Sequence, residues 1–320
     1  MNKIIVQDKI LFPKVLWQRP VHFYKARAGK IFVLAGSKGM SGAAILTCEA
    51  VFRGGTGILT LGFPVGLKNI YKEILPEAMT LELPETPSIS IAKKAEPIIL
   101  ENIKGCDVAI IGPGLSQNAE TIQLIWQLIF AIEKPVVLDA DGINALAKGI
   151  EVIRSKESLE FLENYFHKRQ NKLILTPHPG EMFKIINSAK FDELKNKKID
   201  VQEIEKNKPK YAILIAKKLN ATVILKGYET VISDPEGRVV MNKPGGPELA
   251  TAGSGDVLSG IIGSFVGQNP TNHFEAICTA VYLHGLSGTI AKEKIGERSV
   301  IASDIIRNLP EAIKRAENEN

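Results

Sequence analysis

The stretch of the sequence with the clearest chemical signal is a glycine-rich turn, Gly253-Ser254-Gly255-Asp256, which opens a predicted helix. Two glycines let the backbone turn tightly and bring its N–H groups close to a ligand. At a helix start these N–H groups also lie at the positive end of the helix dipole, which favours phosphate. Such a turn can stabilise a transferring phosphoryl group, and Asp256 beside it is a candidate catalytic base.

The same turn also admits a structural interpretation. Ser and Asp are common N-cap residues, so Ser254 or Asp256 could simply cap the helix, and a short motif alone does not decide between the two. A second glycine-rich loop, at residues 244–247, comes shortly before the turn. Two such loops at one helix start are costly for a fold and favour a bound nucleotide phosphate.

Two other glycine turns each follow a predicted strand. Residues 36–44 read GSKGMSGAA, and residues 112–115 read GPGL. The first lacks the Gly-Lys-Ser/Thr ending of a P-loop and is not a dinucleotide-binding fingerprint. Because ligands of an open parallel sheet bind outside the carboxyl ends of its strands, both turns could line one rim. Taken alone, the first is equally consistent with a packing turn, and the second is better explained as a plain turn.

Two carboxylates, Asp139 and Asp141, follow a third predicted strand, with Asn144 close behind. Their oxygens could coordinate Mg²⁺ directly or through water. An aspartate capping the helix that starts near Ile143 is an equally good explanation, and both could hold at once.

Two basic side chains lie at further strand ends. His178 stands between two prolines, and although a lone histidine is usually structural, its place at the same rim favours contact with a substrate. Lys226 lies in a predicted hairpin at residues 225–230, where it could pair with a phosphate as a point charge or be an exposed turn lysine. The sequence leaves the choice for Lys226 open.

The elements that position these residues alternate between strand and helix. Short runs rich in Val, Ile and Leu are typical of buried parallel strands, and longer helical patterns separate them. The predicted strands are 31–35, 57–61, 108–111, 136–138, 173–175, 221–225 and 230–232. Predicted helices include 42–52, 119–132, one that begins at 180–186, 252–266, 274–292 and 303–317. This alternation predicts a three-layer α/β sandwich in a single domain spanning 1–320.

Three segments are expected to lie outside the regular layers. The polar stretches 151–172 and 187–210 are rich in Lys and Glu, which favours solvated helical excursions. The tail, residues 311–320, is expected to fray.

Bulk composition excludes several classes of protein. The chain has 320 residues, 45% hydrophobic and 23% charged, which is ordinary for a globular protein. The net charge of +5 is small and the basic residues form no dense block, so nucleic-acid binding is not expected. Three dispersed cysteines without a CxxC pair argue against disulfides or zinc. Without a signal-peptide pattern or an apolar run of ~20 residues, we expect a cytoplasmic protein with no membrane contact.

Taken together, the motifs resemble the ribokinase-like superfamily and, within it, the NAD(P)H-hydrate dehydratases, which repair hydrated nicotinamide cofactors. The ordered set that carries the resemblance is GSKGMSGAA, GPGL, LDADGINAL, TPHPGEM, LKGYET and ATAGSGDVLSG, between about Gly29 and Leu309. The resemblance implies a ribokinase-like three-layer α/β/α sandwich with a mainly parallel central sheet. The last motif is shared with many kinases of the superfamily, so it specifies the fold better than the substrate.

The resemblance also implies roles for individual residues. The catalytic group is Asp256 with the turn Gly253, Ser254 and Gly255. The hydrated cofactor, NADHX or NADPHX, is expected at Ala43, Gly114, His178 and Asp256. The phosphoryl donor, ADP or ATP with Mg²⁺, is expected at Lys226, Gly227, Tyr228, Glu229, Thr230 and Gly255.

The implied reaction is donor-dependent dehydration of the hydrate. The alternatives are a kinase of a small vitamin-precursor or sugar alcohol, and a nucleotide-binding protein without catalysis. No N-terminal epimerase domain is expected, because only residues 1–35 precede the first motif. A separate NAD(P)HX epimerase is expected to act in the same pathway. The protein itself is expected to form a homo-oligomer. The loop 244–248 departs from the family pattern, so the choice between ADP and ATP stays open, as does that between NADHX and NADPHX.

Overall fold

The computed structural model describes residues 3–169, 172–195 and 198–318, and a single β-sheet runs through them. Its strands are β1 (Ile4–Gln7), β2 (Lys30–Leu34), β3 (Ile58–Pro64), β4 (Met79–Leu83), β5 (Val108–Ile111), β6 (Val136–Leu138), β7 (Leu173–Leu175), β8 (Ala221–Leu225), β9 (Val231–Ser233) and β10 (Val239–Asn242). The helices are α1 (Ser41–Arg53), α2 (Lys68–Ile74), α3 (Glu96–Ile103), α4 (Ala119–Ala131), α5 (Asp141–Arg154), α6 (Leu159–His167), α7 (Pro179–Ala189), α8 (Val201–Lys206), α9 (Lys208–Lys218), α10 (Ser254–Gln268), α11 (His273–Ile295) and α12 (Ala302–Asn318).

The strands lie in the order β1-β10-β9-β8-β7-β6-β5-β2-β3-β4. Every neighbouring pair is parallel except the two pairs made by β9. β9 runs backwards because a short hairpin joins it to β8, with Leu225 opposite Val231. The predicted mainly parallel sheet is therefore confirmed.

Alternate side chains of each strand enter two separate cores. In β2, Ile31 and Val33 face the core that contains α1, α10, α11 and α12. Phe32 and Leu34 face the other core, with helices α3 to α9. This period-two alternation with apolar residues on both faces is why the strands appear in the sequence as continuous apolar runs. Two helical layers enclose the sheet, so the predicted three-layer α/β/α sandwich is confirmed.

All seven predicted strands are present, most within one residue of the expected bounds, but three strands were not predicted. Two of these, β1 and β4, are the edges of the sheet, where side chains such as Val6 and Met79 remain exposed. β4 reads Met-Thr-Leu-Glu-Leu and has no continuous apolar run, whereas β1 has one at Ile4–Val6 that the prediction omitted. The third, β10, has only four residues and ends at Asn242.

The two polar stretches form helices, as predicted, but each also has a buried side. In α6, Leu162 and Phe166 are buried in the core, and Lys208 at the start of α9 is 7% exposed. Fraying is expected for residues 311–320, but residues 311–318 belong to α12, where Ala312 and Ala316 are buried. Residues 319 and 320 lie outside the described part of the chain. No helix in the described part of the chain is both long and apolar enough to cross a membrane.

Candidate active site

Loops that carry most of the sequence-predicted site residues meet at one edge of the sheet. They follow β2, β5, β6, β7, β8 and β10, which all run in the same direction. In an open parallel sheet this carboxyl edge is where ligands bind. The start of α10 lies at the same edge, because Gly255 approaches Lys226, which follows β8, and Asp139, which follows β6.

The turn at the start of α10 is an open cluster of backbone donors. Gly253 is the N-cap, with the left-handed φ of 87° that favours glycine, and no side chain caps the helix. The Ser254 amide donates to the Thr251 carbonyl at 3.3 Å, whereas the Gly255 and Asp256 amides donate to no described residue. The interpretation of Ser254 or Asp256 as a helix cap is therefore wrong. The two unpaired amides lie at the positive end of the helix and suit an anion.

Asp256 has the protonation behaviour of a base that works near neutral pH. Burial and the neighbouring Asp139 charge raise its pKa to about 7, although Lys226 opposes them. A carboxylate in the first turn of α10, next to free amides and with such a pKa, fits a general base.

Below the turn lies a buried ion pair between Asp139 and Lys226. The Asp139 side chain is 1% exposed, and its Oδ1 accepts a hydrogen bond from Lys226 Nζ at 2.9 Å. Its Oδ2 accepts from the Ser259 hydroxyl at 2.5 Å. Burial alone would raise the pKa of Asp139, but Lys226, Ser259 and Thr176 outweigh it and hold the pKa below its ordinary value.

This pair answers the question that the sequence left open for Lys226. The lysine side chain is 20% exposed, so it is not an exposed turn lysine. A Cβ added to Gly255 would lie 3.2 Å from Lys226 Nζ, which places the ammonium directly beside the turn. A phosphate on the turn would therefore meet this positive charge.

No preformed metal site is found among the described residues, since no three His, Cys, Asp or Glu side chains there could share an ion. Both oxygens of Asp139 are already held by Lys226 and Ser259. Asp141 accepts from the Ser116 amide at 2.9 Å and from the Asn144 side chain at 3.3 Å. It does not cap α5, whose N-cap is Ala140 without a side-chain bond, so the capping interpretation is wrong.

His178 is the N-cap of α7. Its Nδ1 accepts from the Gly180 amide at 3.0 Å and the Glu181 amide at 3.3 Å, while Glu181 accepts from the His178 amide at 2.9 Å. Burial, with Lys226 and Lys184 nearby, lowers its pKa, so the ring is neutral and carries its proton on Nε2. The side chain is 55% exposed, and its Nε2 lies 3.5 Å from Glu181 Oε1 at a position that a ligand could also reach.

Ala43 and Gly114 come together on a different side of the edge. A Cβ on Gly114 would lie 3.1 Å from the Ala43 Cβ and 2.7 Å from the Met40 carbonyl oxygen, so glycine permits close contact with α1. The Ser37 hydroxyl donates to the Gly114 carbonyl at 2.8 Å and fixes the two loops to each other. Neither Ala43 nor Gly114 lines the cavity that opens beside Gly255.

A cavity of about 740 Å³ opens beside the turn. Its lining includes the predicted donor residues Lys226, Gly227, Tyr228, Thr230 and Gly255, together with His178. Glu229 is not among the lining residues, and its carboxylate pairs with Lys243. The remaining wall combines apolar residues, Pro244, Pro247, Leu249, Leu258 and Val281, with polar ones that include Glu205, Asn242 and His284. A cavity of this size and character is suitable for a nucleotide.

Sequence reasoning missed several side chains of this region. Ser259 lies one helical turn after Asp256, a spacing that could have identified it. Glu181 follows His178 in its motif, and burial raises its pKa to about 7. His284 lies in the middle of α11 and contacts Ser254 through Nε2, at 3.1 Å from the Ser254 carbonyl oxygen. No local pattern marks His284, because the contact depends on how α11 packs on α10.

The comparisons with known proteins all lead to one family. A family model described as NAD(P)H-hydrate dehydratase matches residues 31–311. An ADP-dependent (S)-NAD(P)H-hydrate dehydratase from Bacillus subtilis is 32% identical over 301 residues, covering 94% of each chain. A crystal structure of an ADP/ATP-dependent NAD(P)H-hydrate dehydratase from Bacillus subtilis, co-crystallised with ATP/Mg²⁺, has a TM-score of 0.77 at 26% identity, covering 98% of this chain and 99% of that one. These matches also confirm the predicted ribokinase-like fold.

A second kind of relative is longer than this chain. The bifunctional NAD(P)H-hydrate repair enzyme of Moorella thermoacetica is 34% identical over 302 residues, which cover 94% of this chain but 52% of that protein. The chain thus spans about half the length of such bifunctional relatives.

Proposed function

Because the chain belongs to the NAD(P)H-hydrate dehydratase family, we propose that it dehydrates NADHX or NADPHX with ADP or ATP as phosphoryl donor. The observation that best supports this function is the uncapped turn at Gly255, with Asp256 on one side and a nucleotide-sized cavity on the other. A base and an anion site in this arrangement are what phosphoryl transfer to a hydroxyl requires.

The chemistry begins with activation of the ring hydroxyl of the hydrate. Asp256 takes the hydroxyl proton while the hydroxyl oxygen attacks the terminal phosphorus of the donor, and the bond to the donor's bridging oxygen breaks. The ring nitrogen lone pair then expels phosphate, and loss of the proton on the adjacent ring carbon restores the double bond. With ADP the sum is hydrate plus ADP giving reduced dinucleotide, AMP and phosphate. Phosphorylation is needed because hydroxide is a poor leaving group.

The protein's own contribution to the transfer is positioning and charge. The Gly255 and Asp256 amides are free to bind the phosphoryl oxygens, and Lys226 lies beside them as a point charge. Asp139 keeps Lys226 in place through their ion pair. Since Asp139 also raises the pKa of Asp256, the same pair tunes the base.

The donor is proposed to lie in the cavity along Lys226, Gly227, Tyr228, Glu229 and Thr230, with its terminal phosphate at Gly255. Mg²⁺ would enter with the donor, because the phosphates supply most of its ligands in sites of this type. Of the two candidate carboxylates, Asp141 fits this role better than Asp139, because it is only partly buried whereas Asp139 is 1% exposed and paired with Lys226. When bound, Mg²⁺ neutralises charge on the donor phosphates.

The hydrate is proposed to lie across the turn from the donor, near Ala43 and Gly114. A Cβ on Gly253 would meet Leu46 of α1 at 2.4 Å, so the start of α10 contacts the helix that carries Ala43. Asp256 is then available to both substrates. His178 is also proposed to contact the hydrate, which would then extend from Ala43 and Gly114 to the rim of the cavity that His178 lines.

A separate NAD(P)HX epimerase in the same pathway and a homo-oligomeric state remain part of the proposal. The bifunctional names of the longer relatives support the link to a second repair activity.

Measurement of phosphate release tests the proposed function. In the presence of ADP or ATP and Mg²⁺, phosphate should appear only when NADHX or NADPHX is added. Release of phosphate with the donor alone, at the same rate, would contradict the coupling on which the proposal depends.

A further inference from the structure

One side of the donor cavity is formed by the end of α8, which has no role in the proposed reaction. Glu205, near the end of α8, lines the cavity. It belongs to the polar stretch 187–210, which the sequence suggested was a solvated excursion. The segment therefore brings a carboxylate to the place where the donor is proposed to bind.

Lys208 fixes this segment against the hairpin at residues 225–230. It is the first residue of α9, is 7% exposed, and its ammonium donates a hydrogen bond to the Tyr228 carbonyl oxygen. A Cβ on Gly227 would lie 3.4 Å from Lys208 Nζ. Since only two residues separate Lys208 from Glu205, the hairpin and the carboxylate are held as neighbours.

Among the described residues that line the cavity, Glu205 is the one carboxylate. Its charge acts on the Lys208 ammonium, but no hydrogen bond or ion pair with a described residue holds its carboxylate, so its oxygens remain available to a ligand. Like charges repel, so this carboxylate is badly placed for a donor phosphate. It suits a part of the nucleotide that presents hydrogen-bond donors.

The other lining residues indicate which part of the nucleotide lies next to Glu205. The phosphate end is assigned to Gly255 and Lys226, and the apolar wall at Leu249, Leu258 and Val281 suits the flat face of a base. The ribose connects these two ends and carries two adjacent hydroxyl donors. A Glu carboxylate can accept from both hydroxyls, as acidic residues do in other nucleotide sites.

We propose that Glu205 accepts hydrogen bonds from the ribose hydroxyls of the nucleotide donor and makes the protein select ribonucleotides. This inference rests on the donor position given under the proposed function. Loss of both hydroxyls should then weaken binding by about tenfold or more, the usual effect of hydrogen bonds to a charged group.

Calorimetric titration with ADP and with 2′,3′-dideoxy-ADP tests the proposal. The unmodified protein should bind ADP at least about tenfold more tightly, and Glu205→Ala should bind the two nucleotides within about twofold of each other. Because Glu205 is exposed on a helix, alanine there should not disturb folding. Glu133→Ala, which removes an equally exposed carboxylate away from the cavity, should keep the preference of the unmodified protein.

A preference that survives in Glu205→Ala, or that is missing from the unmodified protein, would overturn the proposal. The proposal would also be overturned if Glu205→Ala lost only the ability to distinguish ADP from inosine diphosphate. Glu205 would then contact the base and not the ribose. Failure of both ADP and ATP to bind would overturn the donor position and this inference together. A protein that binds ADP selectively through Glu205 but leaves NADHX unchanged would refute the proposed reaction and leave this inference standing.

Discussion

Lys226 Nζ lies 2.9 Å from Asp139 Oδ1, and this buried ion pair joins the loop after β8 to the loop after β6, beside the turn at Gly255. The two residues are 87 positions apart in the sequence and follow different strands of the sheet. Removal of one partner would leave the other charge buried without compensation, which is costly. The pair therefore fixes the Lys226 ammonium beside the turn that carries Asp256.

Replacement of Asp256 by asparagine should abolish most turnover while the fold persists. The amide keeps the shape of the side chain but cannot take a proton, so kcat should fall by roughly 10²–10⁴-fold. Steady-state rates with NADHX and ADP measure the effect, and circular dichroism checks the fold. A folded Asp256→Asn protein with a nearly normal rate would show that Asp256 is not the base.

The same substitution should stabilise the protein at alkaline pH. The pKa of Asp256 in the fold, about 7, lies above its ordinary value of 3.8. Its favourable contribution is therefore complete below pH 3.8 and is lost as the pH rises through 7. At pH 8 the buried charge costs at most about 4 kcal/mol, which the asparagine avoids. The difference in Tm between Asp256→Asn and the unmodified protein should grow between pH 5 and pH 8, and a constant difference would argue against the raised pKa.

The pH dependence of kcat/KM should follow Asp256 and respond to Asp139. Activity should rise with pH up to about 7, because the base must be ionised. Asp139→Asn removes a neighbouring negative charge and frees Lys226, and both changes lower the pKa of Asp256, so the rise should move to lower pH. Ser259→Ala keeps the Asp139 charge and is the matched control. An unshifted profile in Asp139→Asn would mean that the pair does not tune the base.

A side chain at Gly255 should weaken donor binding. A Cβ there would lie 3.2 Å from Lys226 Nζ and 3.7 Å from Asp139 Oδ2, so valine would crowd the ion pair and obstruct the free amides. The Kd for ADP, measured by calorimetry, should rise by about tenfold or more in Gly255→Val. Gly105→Val, where the added atoms meet open space, should bind normally. Normal ADP affinity in a folded Gly255→Val protein would remove the anion role from the turn.

His178 should affect the hydrate more than the donor. His178→Ala should raise KM for NADHX and should also destabilise α7 by about 0.5–2 kcal/mol, because the N-cap is lost. His178→Asn retains a capping oxygen, so it should raise KM without the loss of stability. Since His178 also lines the donor cavity, a rise in the Kd for ADP with an unchanged KM for the hydrate would place it in the donor site instead.

Much of the fold could be predicted because buried parallel strands leave a local signal. β5, β6, β7 and β8 have the bounds that their apolar runs predict. The edge strand β4 was missed because its apolar residues alternate with polar ones, whereas β1 was missed although Ile4, Ile5 and Val6 form an apolar run. The glycine turn was likewise predictable, since glycines before a helix mark a close approach of backbone to ligand.

The relations between distant segments could not be predicted. The Asp139–Lys226 pair and the contact of His284 with Ser254 depend on strand order and helix packing rather than on local pattern. His178 shows a different limit, because its motif was consistent with both a structural and a ligand-binding role. The structure shows the capping bonds, and the half-exposed ring, with Nε2 3.5 Å from Glu181 Oε1, does not exclude the second role.

The most direct test of the central claim is recovery of dihydronicotinamide absorbance. NADHX or NADPHX, which lacks that near-ultraviolet band, is incubated with the protein, Mg²⁺ and ADP or ATP. We expect the absorbance to return with one phosphate released per reduced dinucleotide, and no recovery when the donor is omitted or Asp256→Asn replaces the unmodified protein. Flat absorbance with both donors, while a small vitamin-precursor or sugar alcohol is phosphorylated, would contradict the dehydratase assignment and identify a kinase.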